Sequence, residues 1–588
     1  MTPKTDSIQA SVPSLTMGNI ITIGFQAFRL NFNDHFVRSL LSHLWLWLAV
    51  FGGIIIFAAV FLVVNLFLTG ALGASNPVSG FVGAVLGATF ALPLMLFPFA
   101  RMAAVSGLMM RMGFNTLQKR VEPNELFRQV ILRRLWAYWL AWVLFYLILL
   151  LVYGSFAAVG FYGYVLFAPP WQTLLTQIAD SQLRGTFVLV SVALGSIYVL
   201  GATMVGLYLA ARLGFFDAVL AIENHYSAIE ALIRSWNLTR GKGWSILMIG
   251  FAVGVILLPI VLLSSTINLF VPFVSLVTGV ITFPLWQAVK AVNFHDLATA
   301  KAGISFDLSV ASMDPRRFLR RVAMQTPEGV DLDFALGGIG SRTIAWLIDQ
   351  MIVYLGLTLL WLGGAWVYFY AVLPVISARF GRVSVDDLNL WILAIAGILT
   401  FALTNGYFIT WETLWRGQTP GKRLAKIRVV RDDGQPIGVK EAALRSFVGW
   451  FDLGFFFMGL ILVLFGRSEK RLGDMAAGTL VIQEENSAQQ QTATVPTVFS
   501  TITKDTVEIL QSQTDPAALS VDHYFVLQNF LGHRSGLSPA DRQQVTAKLA
   551  RQLRSLLWPD SPNHLGTIPD ETLVEAAYLV CRPGGDRI

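Results

Sequence analysis

The chain has 588 residues, 55% of them hydrophobic and 13% charged, with a mean hydropathy of +0.61 and a formal net charge of +7. Soluble proteins carry about 25% charge, so the composition excludes an ordinary soluble globular chain and specifies an all-α polytopic membrane protein. A single cysteine, Cys581, excludes internal disulfides and cysteine-built metal sites, and the seven histidines are scattered without an HExxH-type pair.

No metal, cofactor or catalytic nucleophile is expected, and the chain is not read as an enzyme. Its basic residues crowd the loops beside apolar segments, which is the positive-inside pattern rather than a nucleic-acid signal. The expected partner is the lipid bilayer. Residues 1–39 lack an apolar core followed by a cleavage site and read as a cytoplasmic N-terminal segment.

A span needs roughly 20 mostly apolar residues. Eight stretches qualify: 40–68, 80–110, 134–162, 186–211, 244–264, 267–289, 342–374 and 389–411. The segments 101–134, 212–243 and 290–341 are rich in Lys and Arg, whereas 69–79 and 265–266 carry no charge. This places the N-terminus in the cytoplasm. A ninth run, 446–466, has basic residues on both flanks (Arg445; Arg467, Lys470, Arg471) and contains Gly449, Gly454, Gly459 and Asp452. It either spans or re-enters, and the two-sided basic flanks favour re-entry.

Residues 40–300 form a six-span domain of three hairpins, each introduced by an amphipathic basic segment: 25–40, 124–136 and 228–244. The sequence RSWNLTRGKGW in the third resembles the membrane domain attached to some bacterial glycerophosphodiester phosphodiesterases. The resemblance covers roughly 220–300, and the catalytic domain of those enzymes has no counterpart here.

Residues 321–484 follow another plan. RVAMQTPEGVDLDFAL (321–336) alternates around a Pro-Glu-Gly turn and reads as a short hairpin. LAKIRVV and TLVI read as strands, and VKEAALRSF begins a helix. The strand pieces are expected to form a small cytoplasmic sheet. Asp349 is the one carboxylate inside the span that follows Ser341. A charge at that depth is costly, so it marks a site by default. Arg342 lies seven residues before it, about 10 Å along the axis at 1.5 Å per residue. Side chains lean toward the helix N-terminus, so Arg342 points away from Asp349.

SRTIAWLID (341–349), GQTPGKRL (417–424) and KRLGDMAAGT (470–479), in that order, resemble the RDD family of bacterial membrane proteins. The family is named for one Arg and two Asp. Arg342 and Asp349 match the first two, and Asp474 is chosen as the second Asp over Asp452. The resemblance implies transport of an undetermined small ligand or monovalent cation, with cation/proton exchange as one form. The alternative is a non-transporting scaffold that recruits partners through its tail.

Arg445 and Asp452 repeat the seven-residue spacing. If both carboxylates reach one depth, Asp349 and Asp452 would share a proton or bind a cation, with Gln350 and Asn405 as neutral ligands. Asp349→Asn is then expected to abolish transport without preventing insertion. The competing expectation makes Asp349 a structural group that caps, or pairs with, a cytoplasmic base such as Arg445 or Arg423. Gly421, Lys422, Arg423, Arg445 and Arg471 are read as structural or headgroup-contacting. GQTPGKRL lacks the GxxxxGK[ST] spacing of a nucleotide loop. Asp474 is expected to accept hydrogen bonds from backbone, Arg471 or Arg423. A polar linker (485–502) and a helical cytoplasmic domain (503–588) close the chain. Pro539 is placed at the first position of a helix there, and the domain is expected to contact a protein partner.

Overall fold

The computed structural model describes residues 15–72, 77–118, 133–177, 181–223, 226–270, 274–302, 318–325, 331–380, 383–454, 469–484, 539–558 and 568–580, with isolated residues of 459–466 and 507–537. The chain is mostly helical. In order come α1 (Met17–Leu30), α2 (Phe32–Leu72), α3 (Pro77–Gln118), α4 (Leu135–Gln177), α5 (Ser181–Leu213), α6 (Phe216–Ile222), α7 (Ala228–Leu238), α8 (Gly243–Asn268) and α9 (Val274–Ala302).

Six helices among the described residues are long and apolar enough to cross a membrane: Phe32–Leu68, Leu135–Leu166, Gly185–Ile222, Gly243–Asn268, Ile339–Val375 and Leu390–Leu414. Lipid offers no hydrogen bonds to backbone, so these runs close all of theirs internally. They match six of the eight expected spans. The second expected span is a bent pair, Gly80–Ala91 and Met95–Gln118, meeting at 43°. The sixth, 267–289, begins at the end of α8, crosses residues outside the described ones and continues into α9, and it is not among the six. Much of the ninth run lies outside the described residues.

The chain divides into two compact units. One comprises residues 27–250, 271–312 and 502–588. Its core gathers Phe114, Tyr138, Phe216 and Phe294, and Lys290 pairs there with buried Asp217 at 2.6 Å. Ser227 caps α7 in a capping box with Glu230. The tail contributes two packed helices, Pro539–Leu557 and Asp570–Val580, with Leu549, Leu553, Leu573 and Ala577 buried.

The other unit comprises residues 1–26, 251–270 and 313–501. Strands β1 (Arg321–Gln325) and β2 (Asp331–Ala335) pair antiparallel, as the alternation predicts. Strands β3 (Ile427–Arg431) and β4 (Thr479–Gln483) pair likewise, with Val429 opposite Val481. These are two separate two-stranded sheets rather than one, linked by the isolated bridge Leu336–Ile482 and by the packing of Val322 and Phe334 against Val430, Leu480 and Ile482. Helix α10 (Ile339–Val367) leaves β2 through Gly337 and Gly338, and α11 (Val383–Leu414) returns. Then follow the short α12 (Pro420–Leu424), α13 (Val439–Gly454) and α14 (Leu472–Ala476). Ile427, Val429, Ile437, Ala442 and Val481 pack beneath Ala345 of α10. Leu355, Leu359, Leu362 and Trp366 face outward, as a lipid-facing surface requires.

Residues 17–26 of α1 belong to this second unit and pack against its residues. The Thr22 hydroxyl accepts from the Gly340 N–H at 3.2 Å. The Asn19 and Gln483 amides bond reciprocally, at 3.2 and 2.7 Å. Gly340 is glycine because any Cβ there would meet the Gly18 carbonyl and Ile21.

Candidate functional site

Asp349 is buried, and its carboxylate accepts three hydrogen bonds. Donors are the Tyr407 hydroxyl at 2.9 Å, the Thr419 hydroxyl at 2.5 Å and the Gly421 N–H at 2.8 Å. The last two belong to the TPGKRL turn. Pro420 starts α12 with its fixed φ and no N–H to leave unpaired. Thr419 caps it by accepting from the Lys422 N–H at 3.2 Å. Gly421 lets the turn lie directly on α10. A Cβ there would sit 2.8 Å from the Asp349 carboxyl carbon and overlap the Ala345 carbonyl. Asp349 therefore caps a turn, and its donors are hydroxyls and backbone, not the Arg445 or Arg423 named in the structural expectation.

Asp474 is the hub of a second cluster. Its carboxylate takes Arg342 at 2.5 Å, Arg445 at 2.7 Å and Arg471 at 3.4 Å, and accepts from the Arg471 N–H at 3.2 Å. Burial alone would raise its carboxyl, but Arg445, Arg342 and Arg471 hold it well below the usual carboxylate range. Arg342 also donates to the Gly337 carbonyl at 2.7 Å, and so points away from Asp349 as its helix position requires. Arg423 is not among the partners of Asp474. It faces outward over the Trp415 ring at 5.2 Å.

Glu412, which the sequence reading passed over, joins the clusters. It pairs with Lys422 of the turn and lies 3.4 Å from the Arg445 Nε. Burial pushes the Lys422 ammonium down to about 8, even with Glu412 beside it. The signal available in the sequence was an acidic residue just past an apolar stretch, in TWETLW. Tyr407 and Thr419 offered none, because hydroxyls are common in spans and turns.

These residues close one end of a cavity of about 440 Å³. Asp349, Gln350, Asn405 and Asp452, the four groups expected to surround a cation, all line it. Two of them are already engaged. Asp349 has its three donors, and the Asn405 carbonyl oxygen accepts from Ser446 at 2.8 Å and the Trp450 indole at 3.1 Å. Asp452 differs from both. It is buried, and among the described residues no side chain donates to its carboxylate, which faces the Leu472 and Gly473 N–H groups.

Residues 336–478 match the model of the RDD family. The chain carries an RDD domain. The match takes in Arg342, Asp349, Asp452 and Asp474, and two of these, Arg342 and Asp474, form the ion pair at the hub. No curated protein and no solved structure matches the chain.

Proposed function

We propose that the RDD domain carries a small ligand across the bacterial cytoplasmic membrane, and that Asp452 is the carboxyl that exchanges its proton in the cycle. The observation that carries this reading is Asp452 itself, buried on the wall of a membrane-domain cavity with no side-chain partner for its carboxylate among the described residues. A buried carboxylate without a partner is costly and takes up a proton instead. A monovalent cation is the simplest ligand able to replace that proton, with the Gln350 side chain on the same wall. Asp349 and Asp474 are then the groups that hold the cavity's end closed. The reading includes no enzymatic step. It puts the N-terminus in the cytoplasm, and takes the six-span region as an accessory domain similar to that of the phosphodiesterase-linked proteins.

The test uses the full chain in liposomes loaded with a pH-sensitive dye, under sodium or potassium gradients. Wild type is expected to move protons faster than protein-free liposomes, and Asp452→Asn, a neutral isostere, to abolish the difference while remaining folded. Wild-type liposomes that match empty ones under both gradients would overturn the reading.

A further inference from the structure

The charges around the cavity do not balance when Asp452 is protonated. Arg342, Lys422, Arg445 and Arg471 supply four cations. Asp349, Glu412 and Asp474 supply three carboxylates, each already held by donors or bases. One positive charge is left over in a buried place, where an uncompensated charge is expensive. One end of the Arg342 fork is unmatched as well: its Nη2 is buried without a partner. The rest of the wall is apolar. Val255, Ile256 and Pro259 of α8, Leu357 of α10 and Phe408 of α11 line it. Tyr354 and Trp450 line it too and are also exposed, so the wall continues onto the surface that the spans present to lipid. A free inorganic ion would have no use for that wall.

We propose that this cavity holds an anionic phospholipid, with its phosphate against Arg342 and Arg471 and an acyl chain along the apolar wall. The guanidinium fork matches phosphate oxygens in pairs, which suits Arg better than Lys to this role. The proposal uses the same cavity as the transport reading but does not depend on flux. It also links the lipid to Asp452. With Asp452 protonated or occupied by a cation, the site needs a counter-anion, whereas with Asp452 ionised and empty it does not. The charged groups facing Asp452 are Arg471 and Asp474 at α14, with Arg445 and Glu412 next in the network.

The experiment incubates the purified full chain in detergent with equimolar phosphatidylglycerol and phosphatidylcholine and counts bound lipid by native mass spectrometry at pH 5 and pH 7, both below the value at which Lys422 loses its charge. Phosphatidylglycerol is expected in several-fold excess, and more of it at pH 5. Asp452→Asn should hold it equally at both pH values. Leu357→Trp, which fills the wall without touching the charges, should lose the lipid while keeping its thermal stability. Equal retention of the two lipids, an undiminished preference in Leu357→Trp, or complete displacement by millimolar inorganic phosphate would each overturn the proposal. Because no flux is read, lipid binding without proton movement would refute the transport reading alone, and proton movement without lipid preference would refute this one alone.

Discussion

Replacing Asp349 by alanine removes the acceptor on which the TPGKRL turn rests. Three donors lose it at once: Tyr407, Thr419 and the Gly421 N–H. The two hydroxyls can rotate toward other acceptors. The Gly421 N–H cannot, because it is fixed in the backbone and pressed against α10. Hydrogen bonds to charged groups contribute about 1.5–3 kcal/mol each, and an orphaned buried donor costs about 1–3 kcal/mol. Allowing for the hydroxyls, the loss comes to about 4 kcal/mol. At roughly 2–4 °C per kcal/mol for a unit of this size, the melting temperature should fall by about 10 °C. Asp349→Asn keeps one carbonyl oxygen for Gly421 and can donate to the Thr419 hydroxyl, so it should cost about 1–2 kcal/mol. Thermal unfolding of the detergent-solubilised chain, followed by size-exclusion chromatography, ranks the two variants. Leu355→Ala, on the outward face of the same helix, serves as control. An alanine variant as stable as this control, or an asparagine variant as damaged as the alanine one, would refute the capping argument. Any loss of flux on Asp349→Asn would then need another cause.

Asp474→Ala leaves Arg342 and Arg445 without their shared carboxylate and should cost about 3–5 kcal/mol, measured in the same assay. The carboxyl of Asp474 is held below its ordinary value by its three arginines, so its contribution is present above about pH 4 and is lost as pH falls further. Wild type should accordingly lose thermal stability on acidification below that point, and Asp474→Asn should show a flatter profile. Lys422 has the opposite sense. Its folded value of about 8 lies below the ordinary ammonium value, so between these the unfolded chain binds a proton that the folded one does not. Stability should therefore rise with pH from about 8 to about 10, and Lys422→Met should remove that slope.

Much of the plan was legible because it rests on local pattern. Apolar length marked the long spans, alternation around a turn marked the β1–β2 hairpin, and DDG marked the turn after β3. The lean of Arg342 away from Asp349 followed from helix geometry alone. The partners did not follow, because they are set by tertiary approach. Tyr407 is 58 residues from Asp349, and Asp474 is 132 from Arg342. The twin-carboxylate idea brought Asp349 and Asp452 to one cavity, yet their surroundings differ in a way spacing cannot show. One has three donors, and the other has no side-chain donor among the described residues. Glu412 was missed because a carboxylate at a span end usually meets water, and only the fold turns Lys422 and Arg445 onto it.

The reciprocal amide pair between Asn19 and Gln483 joins residues 464 positions apart. Helix α1 is synthesised 464 positions ahead of its partner in β4, with the described membrane-length helices made in between. It must therefore remain without that partner while they are made, and the unit it completes can close only once β4 has followed. Contacts of such long range form slowly and expose intermediates. An N-terminal fusion or a C-terminal truncation before Gln483 should thus do its damage during biogenesis, before any question of transport arises.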